Sequence, residues 1–258
     1  MALNKKPRSP QKKPLRSLYV SLTGVEFGYV PKRWVKALTG LFLLAPSWIL
    51  SVTFFQVIVQ SARQENFWNN PTFLYFALSV VTGVFLFYAC KPLIWGYVIG
   101  HELTHAIWAW LHGGGVYDFK VARSGGHIVT DKTNTWVVLS PYFFPFYTVL
   151  WLASCGLALL ISGVRVESSA LYAGIGLTWA FHMAYTIAMI AKGQPDLEYG
   201  GVFFSIVLIY FLNLVLISCL LVVASPAISW SGFFAELFTN TVEFSAHTER
   251  VARMLLKI

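Results

Sequence analysis

Long apolar runs recur along this chain, and they constrain its fold more than any other feature. Each run approaches the roughly 20 residues that an α-helix needs to cross a bilayer. Charged residues make up 12% of the chain, against about 25% in a typical soluble domain. The pattern predicts an all-α polytopic membrane protein with a single membrane domain over residues 34–225. Six transmembrane helices are predicted, at about 36–59, 72–90, 92–111, 142–162, 169–190 and 202–224.

The first 33 residues form a basic tail. Nine of the 19 lysines and arginines lie within the first 36 positions. Such a charge run could contact nucleic acid, but before a first membrane helix it is typical of a cytoplasmic N-terminus that touches anionic lipid. With Pro7, Pro10 and Pro14 near its start, the tail over 1–33 is predicted to be disordered, with no nucleic-acid partner. We expect a multi-pass protein of a bacterial inner membrane, with the N-terminus in the cytoplasm.

Between the third and fourth predicted spans the pattern changes from helical to alternating. In "GGGVYDFKVARSGGHIVTDKTN", residues 113–134, polar and apolar side chains alternate before "RSGG", which supplies a turn, and the residues 127–130 after it can return as a second strand. This alternation predicts a β-hairpin inserted at the membrane surface after the third helix, although a plain connecting loop remains an alternative. Ser140, Pro141 and Pro145 are expected either to loosen the start of the fourth span or simply to begin its helix.

The C-terminal region, 226–258, is predicted to contain an interfacial amphipathic helix. Val251, Met254 and Leu255 recur at helical spacing, and basic residues fall between them. This arrangement is typical of a helix that lies in the plane of the membrane surface.

The most specific motif is "HELTH", residues 101–105, inside the third apolar run. A spacing of four places His101 and His105 on one helix face, one turn apart, where both can bind one ion. Glu102 points about 100° away around the helix and can reach a water molecule on that ion. Zinc lowers the pKa of such a water to about 7, so the motif predicts two metal ligands and a general base.

A catalytic zinc usually has three protein ligands. The candidates for the third ligand are Asp196, in "AKGQPDLEYGG", and His182, within the fifth span. Asp196 is the first choice, although Pro195 and Glu198 also suit an ordinary helix start there. Asp118 and Asp131 fall in the predicted hairpin.

"HELTH" in a membrane segment, the glycine-rich hairpin after it and the downstream "QPDLEYGG" resemble the site-2 protease family of intramembrane metallopeptidases. The resemblance covers about residues 92–224 and implies that His101, His105 and Asp196 bind Zn²⁺ and that Glu102 is the catalytic acid and base. It implies a zinc metalloendopeptidase that cleaves membrane-protein substrates within the lipid bilayer. The alternative is a non-catalytic scaffold or transporter-like protein that retains a metal site. The oligomeric state is left open.

Overall fold

The computed structural model describes residues 18–21, 33–90, 93–122, 125–225 and 227–256. Helices account for most of this described part, and three short strands form its only sheet. The helices are α1 (Arg33–Ala62), α2 (Glu65–Trp68), α3 (Pro71–Ala89), α4 (Leu93–Leu111), α5 (Thr135–Phe143), α6 (Phe146–Ser162), α7 (Ser168–Lys192), α8 (Val202–Ala224) and α9 (Trp230–Leu256), with a 3₁₀ helix at Pro195–Glu198. The strands are β1 (Leu18–Ser21), β2 (Val116–Ala122) and β3 (Gly125–Thr130).

Four helices are long and apolar enough to cross a membrane, namely α1, α3, α7 and α8. A fifth crossing results if α5 and α6 form one bent span. The prediction of a helical membrane protein is therefore confirmed, whereas the count of six spans stays a prediction. Helix α4 carries the "HELTH" motif and has 19 residues, like α3, but its polar side chains leave it outside this set.

The fourth predicted span, 142–162, is not one straight helix, because α5 and α6 meet at an angle of 75°. Proline has no backbone N–H and disfavours the helical conformation in the preceding residue. Accordingly Phe144 is extended and α6 begins after Pro145. The break leaves α5 as a separate short helix, and most of its side chains are buried.

The sheet has the order β1-β3-β2, and both pairings are antiparallel. Strands β2 and β3 lie within the predicted hairpin segment, and the residues between them, 123–124, lie outside the described residues. At the other end of these two strands, the Asp131 carboxylate accepts hydrogen bonds from the Gly115 N–H at 2.7 Å and from the Tyr117 hydroxyl at 2.9 Å. These bonds tie the start of β2 to the end of β3.

Strand β1 was not predicted from the sequence, which indicated a disordered tail over 1–33. It pairs with β3 from Leu18 opposite Thr130 to Ser21 opposite His127. The rest of the predicted tail before Arg33 lies outside the described residues.

The helices pack by close backbone approach and by a few buried polar bonds. Helix α3 runs against α7, where a Cβ atom on Gly176 would lie 2.4 Å from the Phe76 carbonyl oxygen. Helix α9 packs on α1, and its buried Asn240 donates hydrogen bonds to Thr53 at 3.1 Å and to Gln56 at 2.6 Å. Many large apolar side chains on the outer surface remain exposed, as expected of helices whose surroundings are lipid.

Candidate metal centre

Helix α4 places the two histidines of the "HELTH" motif side by side. His101 and His105 are one turn apart, both are buried, and their Nε2 atoms are 3.2 Å apart. Two imidazole nitrogens at this separation present their lone pairs to one point. The local spacing that the sequence predicts is therefore present in the fold.

Asp196 reaches the same point from the opposite side of the site. Gly193 ends α7 in a left-handed conformation, with φ of 71°, and Pro195 then begins the 3₁₀ helix that carries Asp196. Its buried Oδ2 lies 3.5 Å from His101 Nε2 and 3.7 Å from His105 Nε2. The 3₁₀ helix is fixed to α8 by a hydrogen bond from the Ser205 hydroxyl to the Leu197 carbonyl at 2.9 Å.

The separations between these three donor atoms fit a metal ion. Ligand atoms held tetrahedrally about 2.0–2.2 Å from zinc lie about 3.3–3.6 Å from one another. The three observed distances, 3.2, 3.5 and 3.7 Å, fall close to that range. Two neutral nitrogens and one carboxylate oxygen are also a donor set that zinc accepts. His101, His105 and Asp196 together could hold a metal ion.

Each of the three side chains is oriented by a second group behind it. The Nδ1 atom of His105 lies 2.8 Å from the Val137 carbonyl oxygen, and that of His101 lies 3.1 Å from the Tyr97 hydroxyl. The carbonyl oxygen accepts a hydrogen bond from Nδ1–H, which leaves the Nε2 lone pair of His105 free to bind a metal. The Tyr142 hydroxyl donates to Asp196 Oδ2 at 2.9 Å.

The charge of Asp196 is maintained by its neighbours. Burial by itself raises the pKa of this carboxyl group, but the adjacent His101 and His105 imidazoles outweigh that effect and hold the pKa well below its ordinary value. Asp196 is therefore an anion at neutral pH. An ionised carboxylate beside two imidazoles favours a cation at this point.

Glu102 lies next to this group, on the side of α4 that faces β3. Its side chain is 1% exposed, and within the described part of the chain its Oε2 atom has no hydrogen-bond partner. The close approach depends on Gly126, because a Cβ atom there would lie 2.5 Å from Glu102 Cγ. A buried carboxyl oxygen without a partner costs free energy of folding.

A cleft of about 360 Å³ opens beside these residues. It is lined by one face of α4, including His101 and Glu102, by Gly125 at the start of β3, and by residues 192–195 at the end of α7. One candidate metal ligand, His101, and the Glu102 carboxyl group thus border a space that can admit another molecule.

The other sequence candidates are not among the three grouped residues, although His182 lines a small cavity with His101. His182 is buried in α7, and its Nε2 atom lies 3.3 Å from the Asn213 amide oxygen. Asn213 donates in turn to the Tyr142 carbonyl at 2.8 Å. Asp118 and Asp131 are exposed on the sheet. The structure therefore groups Asp196, and not these residues, with the histidine pair.

Three residues that contact the centre were not predicted to do so. Tyr97 and Tyr142 are aromatic residues in apolar runs, where they are indistinguishable from lipid-facing or core residues. Gly126 was read only as part of a turn, although the "RSGG" sequence was a signal of close backbone approach. No family model, curated protein or solved structure matches this chain.

Proposed function

We propose that this protein is an intramembrane zinc metalloprotease that hydrolyses peptide bonds of membrane-protein substrates. One observation carries the proposal: three side chains that could hold a metal ion are grouped together, and one of them, His101, lines a cleft with the buried Glu102, whose Oε2 atom has no hydrogen-bond partner among the described residues. A metal site that only stabilises the fold needs neither a free carboxylate nor an adjacent cleft. The alternative of a non-catalytic scaffold leaves both features without a role.

In this proposal His101, His105 and Asp196 hold the zinc ion, and Glu102 accepts and donates protons. Zinc in such a site polarises a carbonyl group and makes water nucleophilic at neutral pH. Glu102 accepts the proton of the attacking water and passes it to the leaving amide nitrogen. Tyr97, Tyr142 and the Val137 carbonyl keep the three ligands oriented during the reaction.

The membrane setting defines the substrate class. We propose six crossings, with α4 and the bent α5–α6 pair added to the four apolar helices, in a bacterial inner membrane with a cytoplasmic N-terminus. Strands β2 and β3 then form a hairpin at the membrane surface. A substrate helix hides its peptide bonds in its own hydrogen bonds, so it must unwind before cleavage. A strand edge beside the cleft can bind the unwound segment through backbone hydrogen bonds.

The test compares wild-type protein with Glu102→Gln after reconstitution in bacterial lipid vesicles. A panel of single-span bacterial membrane proteins serves as substrates, with and without a zinc chelator. Glu243→Gln is the matched control, because Glu243 is exposed on α9 and far along the chain from the site.

We expect cleavage by wild type and Glu243→Gln, and loss of cleavage in Glu102→Gln or with chelator. Glu102→Gln should keep its zinc, because Glu102 is not among the three grouped ligands. Cleavage that survives either the substitution or the chelator would refute the mechanism.

A further inference from the structure

Strand β1 occupies a position beside the candidate site that a bound polypeptide could also take. The pairing of β1 with β3 ends at Ser21 opposite His127. The next residues of β3 in that direction are Gly126, which abuts Glu102, and Gly125, which lines the cleft. The N-terminal segment of the chain thus lies on the edge of β3 that leads to the catalytic carboxylate.

The same strand also approaches the opposite wall of the site. In addition to its pairing with β3, the β1 backbone packs near the 3₁₀ helix Pro195–Glu198, which carries Asp196. Strand β1 therefore contacts both the strand that approaches Glu102 and the 3₁₀ helix that carries Asp196.

Over His127–Thr130 both edges of β3 are occupied, by β2 on one side and by β1 on the other. A substrate strand has two places to add: the edge of β3 now held by β1, or the outer edge of β2. Adjacent strands are about 4.8 Å apart, so a strand beyond β2 would be two such spacings from β3, and one in place of β1 a single spacing. Only the position of β1 brings an added strand next to Gly126 and Glu102.

We propose that β1 is an internal competitor of the substrate, which must displace Leu18–Ser21 from β3 before cleavage. The proposal rests on the proposed proteolytic function. Residues 22–32 tether β1 to α1, so β1 competes as an intramolecular ligand at high effective concentration. A pairing of four residues is short enough to be exchanged for a substrate strand.

The test uses the full-length chain with Tyr19→Pro and Val20→Pro combined. Proline has no N–H to donate to a ladder, and two adjacent prolines remove the donor whichever of the two residues faces β3. The control, Tyr19→Thr with Val20→Thr, keeps both N–H groups and a residue type that favours strands. The first measurement is KM and kcat for one cleaved member of the substrate panel.

We expect KM to fall by about tenfold in the double-proline variant, since one or two backbone hydrogen bonds are lost, and kcat to stay unchanged. The threonine control should behave as wild type. An unchanged KM, or a loss of kcat in the proline variant, would overturn the proposal, because β1 would then be neutral or a working part of the site.

A second measurement does not depend on cleavage. Hydrogen exchange of the amides of residues 127–130 should be faster in the double-proline variant than in wild type. A synthetic peptide with the sequence of residues 16–23, "RSLYVSLT", should restore their protection. Equal exchange in both proteins would refute the pairing itself. If hydrogen exchange differs between the two proteins as expected but no variant cleaves any substrate, the proposed function is refuted, and the competitor role with it.

Discussion

Replacement of Gly126 by alanine tests the arrangement of Glu102 more directly than removal of the carboxylate does. The added Cβ atom would lie 2.5 Å from Glu102 Cγ and 2.8 Å from Glu102 Oε1. It would also lie 2.8 Å from the backbone oxygen of Lys120, on the neighbouring strand β2. Because the third contact is with backbone, the alanine cannot relieve the first two by moving toward β2.

The size of the effect follows from these distances. Carbon atoms in favourable contact are about 3.5–4.0 Å apart, so the Glu102 side chain must retreat by about 1 Å. A misplacement of about 1 Å in a catalytic group lowers a rate by about 100-fold. We therefore expect kcat/KM of Gly126→Ala to fall about 100-fold, with zinc stoichiometry unchanged because the atoms nearest the added Cβ belong to Glu102 and Lys120 and not to His101, His105 or Asp196.

The assay is cleavage of a panel substrate, together with metal analysis of the purified protein. Gly156→Ala in α6 is the matched control, because a Cβ atom there meets nothing within 4 Å and alanine favours a helix over glycine. Wild-type activity in Gly126→Ala would refute the proximity of β3 and the general base. If zinc is lost together with activity, the substitution has disturbed the metal ligands and not Glu102 alone.

Three further predictions concern the ligands and the sheet. Asp196→Ala should lose bound zinc and His182→Ala should keep it, as metal analysis would show; the reverse would make His182 the third ligand. Tyr142→Phe should weaken zinc binding by about 10–100-fold in chelator competition. The protection of the Gly115 amide from hydrogen exchange, taken relative to the unstructured rate at the same pH, should decrease in Asp131→Asn and, in wild type, at low pH. The Gly115 N–H lowers the pKa of Asp131, so this stabilisation is complete above the unfolded pKa of about 3.9 and disappears as pH falls through the lower folded pKa.

The helical part of the fold could be predicted because a membrane helix is encoded locally. The apolar runs at 72–90 and 92–111 match α3 and α4 to within a few residues. The bend at Pro145 has a local cause too, but its angle depends on what packs around α5. Strand β1 was missed because its four residues show no usable period and because its partner, β3, lies more than 100 positions away.

The candidate site, like the fold, could be predicted from the sequence only where its geometry is local. His101, Glu102 and His105 could be placed relative to one another because helix geometry alone sets their spacing. Asp196 follows His105 by 91 positions, and its approach depends on where α7 ends and how the 3₁₀ helix docks on α8. No local pattern determines that docking.

The choice between Asp196 and His182 shows that a sequence identifies polar residues in apolar surroundings more readily than it identifies which of them binds a metal. Backbone and side-chain polar groups in an apolar surrounding need partners, whether or not they bind a metal. Here the two candidates lie at the two ends of one series of hydrogen bonds: His182 to Asn213, Asn213 to the Tyr142 carbonyl, and the Tyr142 hydroxyl to Asp196. The hydrogen bond to Asn213 gives His182 a structural role, which accounts for its burial without metal binding. Asp196, and not His182, is grouped with the two imidazoles of α4 as a candidate ligand, and this position alone distinguishes the two residues.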